Sequence, residues 1–306
     1  MADTFVSGVG SKLADQVVVQ LYTPTYLFWA GGLALYARLN WRWLKGDLAA
    51  LSETKIVILA GAGILLLTAS AAIGQRCEPG LIRLLEGYHW PRALKRLGAQ
   101  RFERRWKKNA DVWQALASKV DQNTATQDEK ERYTRADLYC HNIPPDPADI
   151  MPTALGNVLR AAERRVEAKY GLDPRICWSR LWAVMSKDDR DASSAARDAL
   201  DIGARSFLWG GLFALWAPWS LWALVIAAVT LVGSYAWMVD AAAQYGELLE
   251  AAFDVFRFAM YKSLNIEPPA DSSHEVELGR RVTAYLWRGA GNFVFTKSAG
   301  KAPDSP

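Results

Sequence analysis

Three long uncharged runs punctuate this chain: Gln16 to Ala37, Ile56 to Gln75 and Ser206 to Val239. The last holds thirty-four residues and is broken near its middle by Pro218. A bilayer core needs roughly twenty apolar helical residues, and a straight helix through this run would be about 50 Å long, too much for one span. The pattern therefore predicts a helical hairpin turning at Ala217-Pro218-Trp219-Ser220. With the first two runs it gives a 2 + 2 arrangement. An N-terminal membrane hairpin occupies 1–75, with spans over 16–37 and 56–75. A polar helical domain fills 76–203, a second hairpin 204–242 with its turn near 217–220, and an extension and tail 243–306. The expected fold class is all-α, an integral membrane protein with two transmembrane helical hairpins flanking a helical cytoplasmic domain.

The mean hydropathy of the whole chain is close to neutral and hides this division. Tryptophan usage supports it. Of fourteen Trp, many stand near the ends of the apolar runs, among them Trp29, Trp41, Trp43, Trp209, Trp216, Trp219, Trp222 and Trp237, where indoles favour the headgroup level. The first eleven residues carry no Lys or Arg, and Gln20 and Thr23-Pro24-Thr25 interrupt the first run. It reads as a retained span rather than a cleaved signal. Three cysteines, Cys77, Cys140 and Cys177, cannot all pair and suit a reducing compartment.

Charge sets the expected orientation. Arg92, Lys95, Arg96, Arg101, Arg104, Arg105, Lys107 and Lys108 face Glu103 alone just after the second run, so that flank belongs in the cytoplasm. An even number of spans on each side then places both termini and the central domain there, in a bacterial inner membrane. Arg38, Arg42, Lys45 and Lys55 in the first hairpin loop oppose this orientation. The alternative is a first run that lies in the interface or re-enters, with Trp41 and Trp43 among the headgroups.

Within the polar region, Leu94, Leu97, Phe102, Trp106, Val112, Trp113 and Leu116 recur at helical spacing behind the basic residues. An ordinary packed helix with a solvated basic face explains them, and contact of the eight cations with anionic lipid headgroups is the functional alternative. Nucleic acid is not expected, because no recognition motif accompanies the charges. Asp121 to Arg132 reads as a turning linker, and Asn142 to Pro147 cannot be helix with three prolines. A new helix opens at Thr153 as cap, and Gly171 with Pro174 beyond closes it.

Several stretches carry a resemblance. They are Leu155-Gly156-Asn157-Val158-Leu159-Arg160-Ala161-Ala162-Glu163, Tyr170-Gly171-Leu172-Asp173 and Trp178-Ser179-Arg180-Leu181-Trp182, with Leu84-Leu85-Glu86-Gly87-Tyr88-His89-Trp90-Pro91, Tyr245-Gly246-Glu247-Leu248 and Ala251-Ala252-Phe253-Asp254. Together they resemble an uncharacterised family of bacterial multi-pass membrane proteins with about four spans. The resemblance implies fold and location and assigns no activity.

After Val239 the helical pattern continues, predicting one helix over 219–264 and a shorter one over 274–287, with a tail beyond Lys297. Asp240, Gln244, Glu247, Glu250, Asp254, Arg257 and Tyr261 fall along one side of the long helix. Asp240 marks a boundary on the plain reading. In a ring of copies, Asp240, Gln244 and Glu247 would line a pore or vestibule. Gly31-Gly32, Gly61, Gly63, Gly74 and Gly210-Gly211 permit close helix approach.

No phosphate loop, zinc-protease helix or nucleophile elbow occurs in the sequence. Cys140-His141 with Cys177 and His89 lacks metal-binding spacing, so no metal and no cofactor are expected. Glu86 with Tyr88, and Asn157 with Arg160 and Glu163, read as surface pairs at helical spacing. The sequence thus points to a non-enzymatic, homo-oligomeric interaction or regulatory module in the membrane. The alternative is an ion or anion channel, similar to bestrophin-type channels in layout and not in sequence.

Overall fold

The computed structural model describes residues 24–49, 52–290 and 293. The side chains of Arg42, Trp43 and Lys45, the start of the first run over 16–23 and the tail beyond Lys297 lie outside the described residues. Every regular element among the described residues is helical: α1 Pro24–Ala49, α2 Glu53–Glu86, α3 Arg92–Asp121, α4 Gln127–His141, α5 Ala154–Tyr170, α6 Pro174–Val184, α7 Lys187–Leu212, α8 Trp222–Ser263 and α9 Glu275–Arg288. Short 3₁₀ turns at Pro147–Asp149 and Phe213–Trp216 complete the order. The chain packs as two compact units, one of residues through Ile82 with Leu200–Met238, the other of Arg83–Ala199 with the residues from Val239 on.

In the first unit, aromatic side chains take the place of an aliphatic core. Phe28 of α1 lies against Trp209 and Phe213, ring centroids 5.1 Å and 6.3 Å away, and Ala223 and Ala227 of α8 close the cluster. A Cβ on Gly32 would fall 1.9 Å from the Trp216 ring, so that position cannot carry a side chain while the indole stays. Trp29 Nε1 donates to Ser70 Oγ at 3.2 Å, joining α1 to α2. Arg205 Nε of α7 lies 2.6 Å from Glu78 Oε1 of α2, and Glu78 is only 7% exposed.

Two described helices, α2 and α8, are long and apolar enough to cross a membrane. The remaining runs do not meet that test as described helices. The α1 run continues into Arg38 and bends at Asn40, whose φ of −111° and ψ of 22° leave the helical region. The run from Ser206 stops being α-helical at Leu212, eight residues before Ser220, because a 3₁₀ turn precedes the break around Pro218. Ala223 N–H then donates to Ser220 O at 2.9 Å as α8 starts. Helix α2 does not end at Gln75 but runs through Pro79 to Glu86.

The second unit has an ordinary apolar core. Val166 and Tyr170 of α5, Cys177 and Leu181 of α6, Phe253 and Met260 of α8 and Val282 of α9 pack together. Cys177 is fully enclosed, and burial pushes its thiol up to about 11, so it stays protonated and unreactive. The expected caps form: Thr153 Oγ1 accepts from Gly156 N–H at 3.1 Å, and Gly171 takes a φ of 69°. The linker expected over 121–132 is mostly helix, since α4 begins at Gln127. Thr126 and Glu129 make a capping box there, each side chain accepting from the other's backbone N–H.

Candidate functional site

A polar cleft of the second unit, about 240 Å³, forms where α5 meets the C-terminus of α2. Helix α2 is stopped by Gly87 at φ 96°. The bonds Gly87 N–H to Leu84 O and Tyr88 N–H to Arg83 O, both 3.0 Å, complete a Schellman end. Helix α5 is then clamped onto this end: Thr153 Oγ1 donates to Glu86 O at 3.0 Å. A Cβ on Gly156 would lie 2.4 Å from the same carbonyl, so only glycine allows the approach. Asn157, 1% exposed, fixes the loop before α5. Its amide donates to Met151 O and Thr153 O and accepts from Met151 N–H, all at 2.8 Å.

These constraints put Glu86 and Tyr88 on one side of the cleft and Arg160 and Glu163 of α5 on the other. Helix α6 adds Arg175 and Trp178, α7 adds Arg197, and α8 adds Tyr245. Gly246 lets α8 close in, its Cβ position being 2.8 Å from the Ala162 methyl. Two carboxyls thus face three guanidiniums and three aromatic rings.

The charged groups are not equivalently partnered. Arg160 Nη1 reaches Glu163 Oε2 at 3.3 Å and Arg160 Nε lies 3.9 Å from Asp149. Arg175 grips Asp173 through two bonds of 3.1 Å and 2.9 Å. The Glu86 carboxyl has no hydrogen bond or ion pair to any described residue. Burial first, and then the neighbouring Glu163 charge, push it up to about 7 against the opposing pull of Arg197, Arg83 and Arg160. Burial also raises Glu163, with Arg175 and Arg160 pulling the other way, and it raises the Tyr88 phenol. The cleft therefore holds one carboxyl, that of Glu86, whose ionisation is displaced toward neutral pH.

The positions singled out from sequence divide in the structure. Glu86 with Tyr88, and Arg160 with Glu163, are brought into one cleft rather than standing as separate surface pairs, while Asn157 is a buried lock. Arg175, Arg197, Trp178 and Tyr245 are wall residues that sequence reasoning does not assign; the blocks of resemblance containing Trp178 and Tyr245 are the available signal. Asp240, Gln244 and Glu247 are exposed together along α8 and take no part in the cleft. Beyond them the polar line is taken up in ion pairs, Glu250 with Arg165, Asp254 with Lys169 and Arg257 with Glu275, and Tyr261 is fully buried. On α3, Arg92, Arg96, Arg101, Arg104, Arg105, Lys107 and Lys108 are exposed, and Lys95 is half-buried with Nζ 5.9 Å from the Tyr88 ring centroid. No group of three or more His, Cys, Asp or Glu that could hold a metal ion occurs among the described residues. Comparison of the chain with protein-family models, with curated proteins and with solved structures finds no match.

Proposed function

We propose that this chain is a multi-pass membrane protein whose second unit is a non-enzymatic binding and regulatory module on the cytoplasmic side, assembling as a homo-oligomer. The observation that carries the membrane reading is the surface of α2. None of its most apolar eighteen-residue window is buried, and Val57 and Leu65 are 70% and 72% exposed. A contiguous apolar face of that extent is not stable against water, whereas lipid tails accept it on every side because the backbone hydrogen bonds are closed within the helix. The most apolar eighteen-residue window of α8, of which 22% is buried, fits the same setting. The apolar part of α1 and the apolar end of α7 with the turn after it are the proposed partners of α2 and α8 in two hairpins. The basic stretch from Arg92 to Lys108 supports the cytoplasmic assignment and suits contact with anionic headgroups.

Binding is favoured over catalysis because the described residues of the cleft include no hydrogen-bonded nucleophile–base pair. The test of location is fractionation of expressing cells. The protein is expected in the membrane pellet after an alkaline carbonate wash, and its recovery in the wash supernatant would refute the reading. The exposed line Asp240, Gln244 and Glu247 favours a second reading, a channel with that line toward its axis. In reconstituted vesicles, ion flux that falls when Asp240 and Glu247 are both replaced by Ala would favour it, and absence of flux in the parent protein would exclude it.

A further inference from the structure

We infer that the cleft between Glu86 and α5 is a receptor site for a small organic cation, a primary ammonium group carried on a short body, with the Glu86 carboxylate as its counter-ion. This rests on the proposal that the cleft is the module's binding site.

The argument starts from what each wall group already has. Arg160 and Arg175 already face internal carboxylates, Arg160 pairing with Glu163 and Arg175 with Asp173, and Arg197 is also engaged. A carboxylate ligand would have to compete with those internal carboxylates. Glu86 is the wall carboxyl without a direct protein partner, and a cation entering the cleft would supply the opposite charge beside it. Tyr88, Trp178 and Tyr245 ring the same space, and aromatic faces beside a carboxylate form the usual setting for an ammonium group. A bare divalent ion needs more oxygen ligands than two carboxyls among guanidiniums provide, which agrees with the absence of any metal-holding cluster among the described residues. The volume, about 240 Å³, limits the body to a few heavy atoms beyond the nitrogen.

Protonation makes the proposal sharp. The groups facing Glu86 are Arg83 on its own helix, Tyr88 in the turn after it, Arg160 and Glu163 from α5, Arg175 from α6, Arg197 from α7 and Tyr245 from α8. An incoming ammonium favours the ionised carboxyl, so the Glu86 proton leaves to solvent as the ligand binds, and no covalent bond changes. With Glu86 titrating at about 7, an ammonium that remains charged throughout should bind about tenfold more tightly at pH 8 than at pH 6. An anion accepting a hydrogen bond from protonated Glu86 would show the opposite trend.

The experiment is titration calorimetry on the full chain in lipid nanodiscs with three probes of matched size: n-butylamine, n-butanol and butyrate. The expected result is binding of butylammonium alone, about tenfold tighter at pH 8, with heats that depend on the buffer's own ionisation as a proton is released. Glu86→Gln should abolish binding while its tryptophan-fluorescence unfolding transition stays cooperative. Butyrate binding that tightens toward pH 6 would overturn the cation assignment and leave the cleft as a binding site. No binding of any probe would remove both. Discs of phosphatidylethanolamine and of phosphatidylglycerol separate two sources of the same chemistry: weaker butylammonium binding in the former marks the lipid headgroup as the ligand, and equal binding marks a soluble amine. Either result upholds an ammonium site.

Discussion

Replacing Glu86 by Gln should stabilise the protein, and should do so only as the pH rises. In the folded chain burial and the Glu163 charge hold this carboxyl at about 7, against an ordinary 4.5. A folded-state value raised above the unfolded one means that the stability contribution is full below about 4.5 and is lost as the pH rises through about 7. At about 1.4 kcal/mol for each step of one in pKa, the whole difference is roughly 3 kcal/mol. Water reaches the cleft and screens part of this, which leaves about 2 kcal/mol, of which roughly 1.5 kcal/mol develops between pH 5 and pH 8. Glutamine mimics the protonated acid and never ionises. It also removes the repulsion between the Glu86 and Glu163 charges. The unfolding midpoint of Glu86→Gln, followed by tryptophan fluorescence, should stand only about 1–2 °C above that of the parent near pH 5. By pH 8 the gap should widen to about 4–8 °C. A variant that is less stable than the parent at pH 8 would refute the reasoning, since it would mean that the ionised carboxyl is held by the surrounding guanidiniums and is not the unpartnered group described here.

Further substitutions test how each unit is held together. Asn157→Ala removes three hydrogen bonds and leaves Met151 N–H and Met151 O without that partner, while Thr153 O keeps the backbone N–H of residue 157, so a loss of about 2–3 kcal/mol is expected in denaturant unfolding. Gly279→Ala would place a Cβ 1.9 Å from Tyr170 O and should cost at least about 2 kcal/mol. At Gly61, where a Cβ meets nothing within 4 Å, the same change should cost nothing measurable. Arg205→Ala strands Glu78 in its enclosed position and should lower stability by about 3 kcal/mol, with much of the loss recovered in the Glu78→Gln, Arg205→Ala double variant.

Local chemistry makes much of the secondary structure legible. The break at Pro218, the Thr153 cap, the Gly171 terminator and the long helix through Val239 each follow from one or two side chains acting on nearby backbone, and each is visible in a linear string. Where local signals compete, the reading slips. Asp121 to Arg132 looks like a polar linker because its composition outweighs the Thr126–Glu129 box that starts α4. The uncharged run stops at Gln75, yet α2 carries on through Pro79 for three further turns. The cleft is harder to see because its walls come from five separate stretches of chain. Nothing in the spacing of Glu86 to Glu163 says that they meet; that depends on Gly87 turning the chain and on Gly156 allowing α5 against the Glu86 carbonyl. Likewise, Tyr261 fits the polar stripe of α8 by periodicity but is buried under α6 and α9, a consequence of packing that periodicity does not encode.

The central claim is that the bare apolar face of α2 is solvated by lipid tails. Its most direct test is a nitroxide at position 65, introduced as Leu65→Cys in a background with Cys77→Ser and Cys140→Ser and with the enclosed Cys177 left in place. Paramagnetic relaxation in bilayers should show greater collision with oxygen than with a water-soluble nickel chelate, and a label placed instead at the exposed Asp128 of α4 should show the reverse. A position-65 label relaxed more strongly by the nickel chelate would contradict the account.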